Sequence, residues 1–115
     1  VDGKTTIFEI TPKQLKERID QGNAPFILDI REPGEIDICA LEHDCGSHIP
    51  MHQLPDRFQE LNDYKEKDLV VYCRSGGRSA HCAEFLRAQG FKSVINLTGG
   101  ILAWSDQVDP NMPKY

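Results

Sequence analysis

Cys73-Arg74-Ser75-Gly76-Gly77-Arg78-Ser79 is the segment of this 115-residue chain whose residue types and spacing most clearly prescribe chemistry. Leu69-Val70-Val71-Tyr72 before it is an apolar run with two β-branched residues, the pattern of a buried strand. After it, from Ser79, the residues Ala80, Ala83, Phe85 and Leu86 read as a helix that Gly90 ends. A cysteine where a strand stops and a glycine-rich turn leads into a helix has successive backbone N–H groups pointed into a shared anion-binding hollow. The helix start and the flanking Arg74 and Arg78 both favour thiolate over thiol, so the Cys73 pKa is expected to move down. A thiolate among donors is a nucleophile prepared for an anionic electrophile. The plain alternative is an inert buried thiol in a loop that happens to be rich in glycine. The functional reading is preferred, because reactive cysteines occupy electropositive helix-start settings and inert ones usually do not.

Other conspicuous residues have quieter readings. Asp29 and Arg31, at the end of the run Pro25–Ile30, are read as an ion pair that supports the loop rather than as groups that react. Cys82 falls where a small thiol packs into the core, His81 on the same helix is expected to be exposed, and Trp104 is expected to pack over the last helix. Cys39, His43, Cys45 and His48 lie within ten residues, but Cys-x3-His-x-Cys-x2-His matches no structural zinc spacing, and no metal is expected. Whether Cys45 stands close enough to Cys73 to take its sulfur or form a disulfide is left open by the sequence. The tail Asp109-Pro110-Asn111-Met112-Pro113 is expected to be irregular and peripheral.

The elements that must position these groups alternate. Thr11-Pro12 reads as an N-cap with proline at the first helical position, and Leu15 and Ile19 one turn apart predict a helix over 12–21 that Gly22 ends. Pro25–Ile30 and Ser93–Leu97 read as further strands, and Leu54, Phe58 and Leu61 at i, i+4 and i+7 predict another amphipathic helix. Gly99-Gly100 precedes a last short helix carrying Ile101, Leu102 and Trp104. Strands alternating with helices predict parallel pairing, an α/β layer structure with helices on both faces, and a ligand site at the carboxyl ends of the strands. That rule selects Cys73.

Composition bounds the partners. Lys and Arg number 13 against 18 Asp and Glu, a net charge of −5, which argues against non-specific binding to nucleic acid or anionic membrane. No apolar run approaches the roughly 18 residues of a membrane span, and Val1-Asp2-Gly3-Lys4 lacks a signal-peptide pattern, so a cytoplasmic protein is expected, its four cysteines free thiols, metal ligands or catalytic groups rather than disulfides. Residues 1–68 carry 8 basic and 15 acidic side chains, whereas residues 69–115 carry 5 and 3, so an anion is received in the second part. Without repeat or linker, residues 1–115 read as a single domain.

The chain resembles a rhodanese domain from about Ile7 to Trp104. The resemblance rests on the Cys73–Ser79 loop after its strand, on Gly90-Phe91, on Asn96-Leu97-Thr98-Gly99-Gly100-Ile101 with Trp104, and on Leu28-Asp29-Ile30-Arg31-Glu32-Pro33 with Glu35. It implies a rhodanese-like fold, a central parallel five-stranded sheet with helices on both faces. It also implies a sulfurtransferase in which Cys73 takes the sulfane sulfur of a donor such as thiosulfate as a persulfide and hands it to a nucleophilic acceptor. Cys73 is then the catalytic nucleophile. Arg74, Ser75, Gly76, Gly77 and Arg78 hold the sulfur and the anionic donor, Ser79 opens the helix, and no metal or organic cofactor is needed.

Two other classes are weighed against this reading. Phosphatases and arsenate reductases also place a low-pKa cysteine in an anion cradle, but related phosphatases use a Cys-x5-Arg loop, whereas Cys73 to Arg78 is Cys-x4-Arg, a smaller ring suited to one sulfur atom. Non-catalytic rhodanese modules usually lack the loop cysteine, which is present here. The runs Glu9–Lys16, Arg31–Ile36 and Ile49–Arg57 look most like rhodanese domains at the C-terminus of adenylyltransferases that activate sulfur-carrier proteins for thiamine and molybdopterin synthesis. That similarity implies a C-terminal fragment and a sulfur-carrier acceptor, and a stand-alone sulfurtransferase fits the same residues. One departure is the loop 39–46 before Ser47-His48-Ile49-Pro50-Met51, where the family has a further Gly-His-Ile-Pro-Gly element.

Overall fold

The alternating pattern builds one parallel sheet in the computed structural model, which describes residues 8–41 and 45–115. Strands β1 (Phe8–Ile10), β2 (Phe26–Asp29), β3 (Gly46–His48), β4 (Asp68–Tyr72) and β5 (Ser93–Leu97) lie in the order β1-β5-β4-β2-β3, every neighbouring pair parallel. The five-stranded parallel α/β sheet agrees with expectation. Three strands coincide with the apolar runs. The edge strands β1 and β3 are three residues long, too short to show a period.

Side chains alternate across the central strand β4. Leu69 and Val71 enter a core with Leu28, Leu86 and Val94, while Val70 and Tyr72 enter a second core with Ile27, Leu97 and Trp104. α4 (Gly77–Ala88) covers the first face with Cys82, Ala83 and Leu86, and α1 (Pro12–Asp20) and α5 (Gly100–Gln107) cover the second with Leu15, Ile101 and Trp104. α2 (Pro33–Ile38) follows the carboxyl end of β2 and buries no side chain. α1 starts as the sequence predicts: Pro12 opens it, the Thr11 hydroxyl accepts from Gln14 N–H, and the Gln14 side chain accepts from Thr11 N–H. Among the described residues no helix is long and apolar enough to cross a membrane.

Two helices depart from expectation. The segment from Leu54 forms only one α-turn, α3 (Leu54–Arg57), between 3-10 turns at Met51–Gln53 and Phe58–Tyr64. Three residues per turn put Phe58, Leu61 and Tyr64 on one face, and all three pack on the first core, so this winding buries one more aromatic than the α spacing of Leu54, Phe58 and Leu61. Tyr64 stacks on Phe26 at 3.9 Å between ring centroids. α4 begins at Gly77 instead of Ser79, because Gly76 takes φ +107° and turns the chain into the helix two residues earlier.

Candidate active site

β4 delivers Cys73 at the carboxyl edge of the sheet, 1% exposed. Its Sγ accepts hydrogen bonds from Gly76 N–H at 3.0 Å and Ser79 N–H at 3.4 Å, with Ser75 N–H also directed at it. The back of the loop explains this arrangement. Ile101 N–H donates to the Cys73 carbonyl at 2.9 Å and Leu102 N–H to the Arg74 carbonyl at 3.1 Å, so the start of α5 draws the loop carbonyls away from the sulfur. The approach requires Gly100, at φ +62°, where a Cβ would stand 2.5 Å from both of those oxygens.

Burial works against ionisation of Cys73, yet hydrogen bonds from the Ser79 side chain and from the Ser79, Gly76 and Ser75 amides outweigh it and hold the thiol below its ordinary value. The direction is the expected one, but the arginines are not its main source. Ser79, assigned to open the helix, lies two residues inside α4 and is buried, its hydroxyl 3.4 Å from Sγ, 3.2 Å from Gly76 O and 2.5 Å from Asn96 Oδ1. One hydroxyl proton serves three acceptors, and a charged thiolate is the strongest of them. Asn96 completes the brace by donating to Gly76 O at 3.3 Å and to the Glu9 carboxylate at 3.2 Å.

Both loop arginines are already paired, and Arg78 also lies close enough to Cys73 to interact with its charge. Arg78 holds Glu35 in a bidentate pair at 2.7 and 2.8 Å, because the first turn of α2 carries that carboxylate to the loop. The Arg78 hydrogen bonds are the largest influence on Glu35 and hold its carboxyl down at about 2. Arg74 is exposed, its Nε 2.5 Å from the main-chain oxygen of Tyr115 and its guanidinium 5.3 Å from that ring. Ser75 contributes its amide, and Gly77 opens α4 beside empty space.

Asp29 and Arg31 do meet, at 2.8 Å, and both are buried. Tyr72 OH donates to Asp29 Oδ2 at 2.8 Å. Arg31 also donates to Cys39 O at 2.9 Å and to Tyr115 OH at 2.9 Å, and that hydroxyl donates to Glu35 Oε2 at 2.6 Å. The pair therefore connects, through Tyr115 and Glu35, to Arg78. Burial of Arg31 disfavours its charge, but the bonds to Asp29 and Tyr115 prevail and push its pKa upward. The tail is thus irregular but not peripheral: besides Tyr115, Pro113 O accepts from Cys39 Sγ at 3.4 Å and Met112 O from Ser105 Oγ at 2.9 Å.

The remaining candidates separate. Cys45 precedes β3 at the amino end of the sheet, two strands (~10 Å) across and about four residues (~13 Å) down from Cys73, beyond disulfide reach. Of the histidine and cysteine cluster, His43 lies outside the described residues, His48 Nε2 is 2.7 Å from Arg31 O, and Cys39 faces Pro113. Cys82 is buried in the first core, and that burial is the main reason its thiol is pushed up to about 11. His81 is exposed and Trp104 packs in the second core. Asn96, Gly100 and Tyr115 are the participants that sequence reasoning missed. Asn96 left a trace as a polar residue in the apolar run of β5, and Gly100 as half of the glycine pair before the last helix.

The arrangement is a thiol in a small cage of amide donors that favour negative charge on its sulfur. Comparison with known proteins matches the family model described as rhodanese-like domain over residues 11–107. Among curated relatives, a rhodanese-like/PpiC domain-containing chloroplastic protein of Arabidopsis thaliana is 47% identical over 77% of this chain, which spans 30% of that protein. A sulfurtransferase of Allochromatium vinosum is 38% identical over 84% of this chain and 87% of its own length. A probable adenylyltransferase/sulfurtransferase of Mycobacterium tuberculosis is 32% identical over 92% of this chain, which spans 26% of that protein. The crystal structure of a rhodanese-like domain protein from Staphylococcus aureus superposes with a TM-score of 0.75 at 28% identity, covering 95% of this chain and 99% of that one. The matched residues contain β2, the Cys73 loop and β5 together, and the chain belongs to the rhodanese-like domain family.

Proposed function

We propose that this domain is a sulfurtransferase that carries sulfane sulfur as a persulfide on Cys73. The observation that carries the reading is the Cys73 thiol, held below its ordinary pKa by the Ser79, Gly76 and Ser75 donors at the carboxyl end of the central strand. The thiolate attacks the outer sulfur of a sulfane donor, of which thiosulfate is the simplest. The donor's sulfur–sulfur bond breaks, and sulfite leaves with the electron pair. An acceptor nucleophile then attacks the outer sulfur of the persulfide, and Cys73 leaves as a thiolate. The amides that stabilise the resting thiolate receive the negative charge of the persulfide, which supports a mechanism without metal or organic cofactor. The sulfurtransferase named among the relatives supports the same activity. The relative named as an adenylyltransferase/sulfurtransferase supports an adenylyl-activated sulfur-carrier protein as acceptor.

The test is the intact mass of the protein after incubation with thiosulfate or an organic persulfide, followed by cyanide. The expected result is a gain of one sulfur on Cys73, its loss to thiocyanate on adding cyanide, and neither in Cys73→Ser. No gain with any donor identifies a non-catalytic module, and hydrolysis of an aryl phosphate without a persulfide identifies a phosphatase; either overturns the reading.

A further inference from the structure

Three guanidiniums surround the loop, and each is already matched. Arg31 is paired with Asp29 in the interior, and Arg78 is held by both oxygens of Glu35. Arg74 lies on the exposed side of the loop, where its Nε meets the main-chain oxygen of Tyr115, which any residue at that position supplies, and its guanidinium meets the face of the Tyr115 ring, which only the side chain supplies. Tyr115 is itself anchored, accepting from Arg31 at 2.9 Å and donating to Glu35 at 2.6 Å. A small dianionic donor brings a sulfonate that needs a cation beside the loop. Arg31 is buried and both forks of Arg78 are taken up by Glu35, so the exposed Arg74 is the guanidinium a sulfonate meets, and it meets it by displacing the Tyr115 ring. A persulfide on an organic thiol concentrates its charge on the sulfur pair, where the amides at Cys73 receive it, and makes no demand on Arg74.

We propose that Tyr115 is a specificity-determining residue: by occupying Arg74 it disfavours small sulfonate donors such as thiosulfate relative to persulfides carried on an organic thiol. This rests on the sulfurtransferase reading. With the favoured donor, the Cys73 thiolate attacks the outer sulfur of R–S–SH. The sulfur–sulfur bond of the donor breaks, R–S⁻ leaves with the electron pair, and Cys73–S–SH remains.

The experiment compares the wild-type chain with Tyr115→Ala and Tyr115→Phe in steady-state transfer to cyanide, from thiosulfate and from the persulfide of β-mercaptoethanol, an uncharged thiol. Tyr115→Ala is expected to lower KM for thiosulfate about fivefold, the scale of one displaced cation–ring contact, with KM for the organic persulfide unchanged. Tyr115→Phe keeps the ring against Arg74 and is expected to stay nearer wild type. Adding Arg74→Ala to Tyr115→Ala is expected to remove the gain. A thiosulfate KM that rises, or KM values that move together for both donors, overturns the role of Tyr115 while persulfide formation on Cys73 still upholds the sulfurtransferase. Absence of a Cys73 persulfide with both donors overturns the two together.

Discussion

Replacing Gly100 with alanine places a methyl carbon 2.5 Å from the main-chain oxygens of Cys73 and Arg74 and 2.6 Å from the Arg74 carbonyl carbon. Carbon and oxygen in contact stand about 3.3 Å apart, so roughly 0.8 Å of separation has to be created between two stretches of backbone, with no flexible side chain to absorb it. At φ +62° the new Cβ also costs about 1–2 kcal/mol of conformational strain. The hydrogen bonds from Ile101 and Leu102 to the two loop carbonyls stretch or break, at about 1 kcal/mol each. The expected loss is about 3–4 kcal/mol, read as a shift of the urea midpoint. The chemical consequence is more specific. Once α5 releases the loop carbonyls, the Gly76 and Ser79 amides no longer converge on Sγ, and the Cys73 pKa climbs toward its ordinary value. Alkylation of Cys73 by iodoacetamide, followed by mass spectrometry of the Cys73 peptide against pH, measures this directly. A variant within about 1 kcal/mol of wild type with an unchanged alkylation profile would refute the claim that α5 shapes the cradle.

Ser79→Ala removes the largest single support of the thiolate and is expected to move the midpoint of Cys73 alkylation to higher pH. The folded pKa of Cys73 lies below its unfolded value, so its stabilisation is fully present above the unfolded value and is lost as pH falls through the folded one. Wild type should therefore gain stability over the variant on the alkaline side, in urea titrations at several pH values. Glu35→Gln is expected to cost about 1 kcal/mol at neutral pH, since Arg78 is partly exposed and screened. Because Glu35 is held at about 2 against an ordinary 4.5, the difference from wild type should shrink as pH falls from 4.5 toward 2; a constant difference across that window would count against the pair. Asp29→Asn leaves the Arg31 charge buried with its main partner gone, an expected loss of about 3 kcal/mol in the same denaturation assay, and a loss under about 1 kcal/mol would show that Tyr115 and Cys39 suffice to hold Arg31.

The helical segment after Pro50 shows where sequence patterns stop short. Leu54, Phe58 and Leu61 satisfy an α period, but Phe58, Leu61 and Tyr64 satisfy a 3-10 period, and the stacking of Tyr64 on Phe26 favours the second. The short edge strands had no signal because three residues are too few to alternate. α2 has a local signature in Pro33 at its first position and Glu35 three residues after Glu32, whose N–H donates to the Glu35 carboxylate.

From the sequence alone came the parallel α/β layering and the placement of Cys73 at the end of a strand, before a glycine-rich turn and a helix. These follow from local patterns, in which a few consecutive residues determine whether the chain extends, turns or coils. The tertiary structure decided which carboxylate neutralises which arginine, that Ser79 and Asn96 meet behind the thiol, that Gly100 braces the loop, and that Tyr115 reaches Arg31, Glu35 and Arg74. Those contacts join residues from 17 to 84 positions apart. A count of charges and spacings carries no record of them, since only the packing of the sheet and its helices determines which distant groups come within hydrogen-bonding range.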